Sequence, residues 1–290
     1  MPQPQVSPSN IAGFPALGTA GTADRPLLLF IHGAFASHEP FANWMQTLGR
    51  DGWRCVAAGR RNQLGHGPAG VADVTINDYV ADTLRVIDAL NEKPVVIGHS
   101  LGGLIAQKIA ELGKCSAAVL VAPAPSGMLT AQLAALPALL PMVPSILRGR
   151  PLLPSCATCE AIVLNRVPQS ERARIHGALV HESGKVYREM IFGTFRVDAQ
   201  KVRCPLLVVG GSDDRVVSVT LLRATAKYYG AALKLYEGRG HGCLKNPAGT
   251  RLRVTSERGC ARRSQSPRRC PWRASGPGAW RARCRLPSPV

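Results

Sequence analysis

The first twenty residues contain no lysine or arginine and no unbroken apolar stretch. A secretory signal needs both, so none is expected. Long apolar runs are missing as well: the longest, Leu133 to Leu147, is interrupted by Pro137, Pro141 and Pro144, which excludes a membrane-spanning helix there. The nine cysteines lack the spacing of a metal site or a disulfide framework. Cys156-x-x-Cys159 is the only close pair, and neither a second pair nor a His-x-His partner accompanies it. Reduced thiols in a cytoplasmic protein are expected, with no metal and no organic cofactor.

Acidic residues are scarce, and the imbalance is local. The chain carries a net charge of +18, yet residues 251–290 hold eleven arginines against the single acid Glu257, so ten of those charges sit in the tail. Lys, Asn, Asp and Ile are absent there, and apolar periodicity stops at Arg251. A basic, disordered segment is expected. Its residue types are those that GC-rich codons specify, so one reading is a product of out-of-frame translation; the rival is an anion-binding arm. Nucleic acid is not an expected partner, because Trp272 and Trp280 are few and no nucleic-acid fold signature accompanies them.

The remaining chain alternates buried strands with amphipathic helices. Leu27–Ile31, Cys55–Ala58, Val95–Ile97, Ala117–Ala122, Pro205–Val209 and Leu233–Tyr236 are short apolar runs of the kind that fill a parallel sheet. Helices are predicted at 41–48, at 76–90, where Tyr79, Val80, Leu84, Ile87 and Leu90 share a face, and at 101–112. Residues 126–200 break that rhythm. Leu129, Leu133, Leu136 and Leu140 recur at helical spacing there, and helical patterns follow near 160–165 and 170–195. The expected organisation is a flexible leader at 1–23, an α/β core at 24–125 and 201–250, a helical cap inserted at 126–200, and the tail at 251–290.

Gly98-His99-Ser100-Leu101-Gly102 lies between the strand ending at Ile97 and the helix beginning at Leu101. Two fixed glycines around a serine arise by chance about 0.1 times in a chain of this length, so the setting matters more than the spelling. A serine at a sharp strand-to-helix turn has a strained backbone, and its neighbours two residues away must be small. Ser100 is therefore a candidate nucleophile. Its hydroxyl needs a base, and the base needs a partner to fix its tautomer. Gly210-Gly211-Ser212-Asp213-Asp214 and Gly240-His241-Gly242 each follow a predicted strand and supply both, in the order Ser, Asp, His.

In this order and setting the chain resembles the α/β-hydrolase superfamily over roughly residues 24–248. The resemblance implies a mostly parallel sheet covered on both faces, with a helical cap. Gly211, Asp214 and Val217 match the family's acid motif G-x-x-D-x-x-V, which makes Asp214 the acid and Asp213 the neighbour to test second; His241 matches the family histidine. Leu101, following the nucleophile, would supply one oxyanion amide. The resemblance of His32-Gly33-Ala34-Phe35 to the family's His-Gly loop places the second at Ala34, or at Phe35 one position on. His32 would brace that loop, and Leu64-Gly65-His66-Gly67 resembles the family's Arg-Gly-His-Gly loop with Leu64 replacing the arginine. His99 lies beside the nucleophile at the elbow's variable position, while His38, His176 and His181 carry no motif.

The expected chemistry is hydrolysis of carboxylic esters. Serine at the elbow argues against haloalkane dehalogenase and epoxide hydrolase chemistry, which in this superfamily use an aspartate there. Leu133, Leu136, Leu140 and Met142 in the cap are the expected contacts for a small to medium apolar acyl or alcohol group, unless that face is the cap's own core. The same triad would also serve a lactonase or a C–C bond hydrolase, and the scaffold without turnover would be a ligand-binding homologue.

Overall fold

The computed structural model of the protein describes residues 5–130, 132 and 135–242. The sequence expectations for 251–290 and for Leu133 lie outside these residues. Eight strands form one sheet in the order β1-β2-β4-β3-β5-β6-β7-β8. They are β1 Ser7–Ile11, β2 Phe14–Thr19, β3 Leu28–Ile31, β4 Cys55–Ala58, β5 Val95–His99, β6 Ala117–Val121, β7 Leu206–Gly211 and β8 Ala232–Tyr236. From β4 to β8 every pairing is parallel.

Alternate residues of the central strands face opposite layers, as the two-residue period of a strand requires. Leu29, Ile31, Val96, Leu120 and Val208 pack with helices α2 (Ile76–Leu90), α3 (Leu101–Glu111) and α9 (Val219–Tyr229). Leu28, Phe30, Val95, Ile97 and Val119 pack on the other face with Trp44, Met45 and Leu48 of α1 (Ala42–Arg50). The helix expected over 76–90 from its 3.6-residue period is α2, and the structure closes it with a cap at each end. Thr75 and Asp78 form a capping box, and Asn91 closes the helix in the left-handed region at φ 51°.

The leader differs from expectation. Ser7–Ile11 and Phe14–Thr19 form an antiparallel hairpin, and β2 continues antiparallel onto β4 through Ala16↔Ala58 and Thr19↔Cys55. The strand order here comes from the open edge of β4, not from local propensity. Phe14 and Ala16 point into the core while β1 stays exposed at the sheet's edge.

Between β6 and β7 lie α4 (Leu136–Leu139), α5 (Val143–Arg148), α6 (Cys156–Ile162), α7 (Gln169–Gly177) and α8 (Gly184–Phe192). The helical pattern of 170–195 is thus two helices. Ser183 caps the second by accepting the Lys185 and Val186 N–H groups, and just before it Leu152 and Glu182 form an isolated antiparallel bridge.

Candidate active site

Ser100 sits between β5 and α3 with φ 55° and ψ −118°, a conformation few non-glycine residues adopt. Backbone bonds on both sides hold it: its N–H donates to the Val121 carbonyl at 3.0 Å, and its carbonyl accepts from Gly103, Leu104 and Ala124. The flanking glycines are required by contact. A Cβ on Gly98 would lie 2.2 Å from the Gly102 carbonyl oxygen, and one on Gly102 equally close to that of Ile31. Leu101 opens α3, so its N–H has no acceptor within the helix and faces the region around Ser100.

The structure brings His241 and Asp214 to this serine. His241 Nε2 lies 3.0 Å from Ser100 Oγ, and its Nδ1 lies 2.8 Å from Asp214 Oδ2. A carboxylate accepting at Nδ1 leaves Nε2 free to accept the serine proton. Asp214 is fixed from its other oxygen, where Oδ1 accepts the Val216 and Val217 N–H groups at 2.7 and 2.8 Å. Both His241 and Asp214 are buried. Asp213 points elsewhere: it pairs with Arg166 and accepts the Ser212 hydroxyl, and these bonds hold its carboxyl below the usual range.

Two contacts carried no signal in the sequence. His99 Nε2 bonds the His241 carbonyl oxygen at 2.9 Å, with the two rings 4.9 Å apart, so the elbow holds the histidine loop directly. Gln132 Nε2 donates to the Asp214 carbonyl at 2.6 Å and ties the chain after β6 to the acid's loop.

Gly33 passes so close to Ser100 that a Cβ on it would lie 3.1 Å from the serine Cβ. Ala34 and Phe35 follow along the same wall, Phe35 with a positive φ of 59°. The wall belongs to a cavity of about 350 Å³ that Ser100 and His241 also line. Leu136, Leu139, Met142 and Ile146 line it as well. Leu140 does not: it is 65% exposed and is not among the residues lining the cavity. The expected four-residue stagger from Leu136 fails because Pro137 and Pro141 each restart the helix, and the 3₁₀ turn over 140–142 brings residues three apart into line. Leu139 and Met142 therefore take the inward positions.

The sequence profile of the Alpha/beta hydrolase family matches residues 28–251. The chain belongs to that family. Among curated proteins, the chain is similar to epoxide hydrolase 1 of Caenorhabditis elegans, 37% identical over 95 residues that make up 31% of this chain and 23% of that protein. It is similar too to the AB hydrolase superfamily protein YfhM of Bacillus subtilis, 32% identical over 101 residues, 32% of this chain and 34% of that one. The chain thus spans only about a quarter to a third of the length of these relatives. Among solved structures, a soluble variant of monoglyceride lipase from Saccharomyces cerevisiae superposes with a TM-score of 0.62 at 14% identity, over 83% of this chain and 89% of that one. At that identity the likeness is one of fold. Among the described residues no helix is long and apolar enough to cross a membrane.

Proposed function

We propose that the protein is a serine hydrolase that cleaves carboxylic esters of small to medium apolar groups. The observation that carries this reading is the continuous line Asp214 Oδ2, His241, Ser100 Oγ at the wall of an apolar cavity. Ser100 Oγ attacks the ester carbonyl as its proton passes to His241 Nε2, and the Leu101 and Ala34 amides receive the oxyanion. His241 then protonates the leaving alkoxide oxygen as the C–O bond breaks. Water attacks the acyl-enzyme with His241 again as base, releasing the acid and restoring the serine.

The epoxide hydrolase relative does not redirect this reading, because the elbow presents a hydroxyl and not a carboxylate. Lactones would fit the same chemistry, and profiling linear esters against lactones separates the two. The substrate is proposed to be a small molecule met in the cytoplasm, in keeping with nine irregularly spaced cysteines.

The test is hydrolysis of p-nitrophenyl esters by the wild-type protein and Ser100→Ala, together with fluorophosphonate labelling read by mass. Loss of about 10⁴ or more in kcat and of the label is expected. Equal rates for the two proteins would remove the serine-hydrolase reading.

A further inference from the structure

Arg60, two residues beyond β4, is a charged side chain with 2% of its surface exposed. Its guanidinium is directed at the backbone of the His32–Phe35 loop. Nη1 donates to the His32 carbonyl at 3.0 Å; Nη2 donates to the Gly33 carbonyl at 3.1 Å and lies 3.0 Å from His32 Nδ1. The Tyr79 ring lies 4.4 Å beneath the guanidinium carbon. Burying a cation is costly unless charge and hydrogen bonds compensate it. The compensation comes from the far side of the chain. Tyr79 donates its hydroxyl to Glu182, which also accepts the Ser183 N–H at 2.9 Å, and Glu182 itself is fully buried.

The consequence lies in the peptide plane. In a trans peptide the C=O and the next N–H point in opposite directions. A guanidinium that draws the Gly33 carbonyl to itself therefore turns the Ala34 N–H the other way, toward the face where Gly33 lies against Ser100. The loop is also held further on, where the Val180 N–H donates to the Phe35 carbonyl at 2.9 Å.

We propose that Arg60 is the positioning residue of the oxyanion site, holding the His32 and Gly33 carbonyls so that the Ala34 N–H faces the reacting carbonyl oxygen, with Glu182 as its counter-charge. This rests on the serine-hydrolase reading above. Arg60 touches no substrate; it acts through the orientation of one peptide. Lysine cannot replace it, because one ammonium cannot span both carbonyls and stack on Tyr79.

The test uses Arg60→Lys and the double variant Arg60→Met/Glu182→Leu, which removes both charges and leaves neither buried alone, an exchange cores commonly tolerate. Each is assayed on p-nitrophenyl butyrate. Each is also titrated with an alkyl trifluoromethyl ketone, to which a catalytic serine adds as an oxyanion, and with the matching alcohol, which forms no adduct. The folded variants should lose roughly 10²-fold in kcat with KM within about threefold, and the ketone should weaken in step with kcat while the alcohol binds as before. Wild-type turnover and ketone affinity in either folded variant, or equal weakening of ketone and alcohol, would overturn the proposal, as would failure of both variants to fold. Fluorophosphonate labelling of the wild type separates the two levels: no label at Ser100 sinks the serine-hydrolase reading itself, whereas full labelling with unaffected variants sinks only the role of Arg60.

Discussion

Gly102 and Ile31 approach so closely that a methyl group on the glycine would lie 2.2 Å from the Ile31 carbonyl oxygen. Backbone on both sides leaves nothing flexible to yield. Gly102→Ala is therefore expected to destabilise the protein by roughly 1–3 kcal/mol and to displace Ser100, so that turnover falls further than stability does. Denaturant melts and ester hydrolysis measured side by side check this; a variant of unchanged stability and rate would show that the elbow can relax.

Asp214 gives one oxygen to two backbone amides and the other to His241. Asp214→Asn retains an oxygen for the amides and turns an NH₂ group toward His241, which favours the wrong tautomer. A fall in kcat on the order of 10⁴ is expected, with little change in melting temperature. Asp213→Asn, which breaks the surface pair with Arg166, should leave kcat within about twofold.

Met142 lines the cavity and Leu140 does not. Met142→Trp should shorten the longest p-nitrophenyl ester the protein accepts, seen as a rise in KM that grows with acyl length. Leu140→Gln should leave that profile unchanged. The reverse pattern would mean that the chain runs the opposite register over 136–146.

His32 is buried beside the Arg60 guanidinium, and burial first, then that charge, hold its pKa well below the usual 6.5. The unfolded chain takes up a proton near pH 6.5 that the folded protein refuses, so this group's contribution to stability is complete above that value and declines as pH falls below it. The slope reaches at most about 1.4 kcal/mol per pH unit for one proton. Glu182, whose pKa burial raises, works in the opposite direction as the pH falls. Comparing wild type with His32→Asn isolates the histidine: between pH 7 and 5 the melting temperature of the variant should fall less steeply.

The central sheet and the elbow were legible because their signals are local. Val95–Ile97 and Ala117–Val121 are continuous apolar runs, and glycines bracket the serine that needs them. The β1–β2 hairpin was not legible. Ser7–Ile11 reads as a polar loop, and it is a strand only through its pairing with β2, which in turn lies on the edge of β4 about forty residues on. Leu140 was misplaced because a single helical period was carried through two prolines. The buried Arg60 and Glu182 had no signal, since only the fold places Arg60 on the loop carbonyls and its neighbour Arg61 on Asp82. Motif order is written along the chain, whereas charge pairing depends on which segments meet.

The unusual backbone angles of Ser100 are maintained by Val121, Gly103, Leu104 and Ala124, all through main-chain bonds, and by glycines that leave no room for alternatives. None of these contacts involves the serine hydroxyl. The elbow is thus a fixed mount whose shape is indifferent to the chemical group it carries. Cysteine or aspartate at position 100 would be presented at the same point before the same histidine, and a change of reaction type at this site would need one codon in place of a new fold.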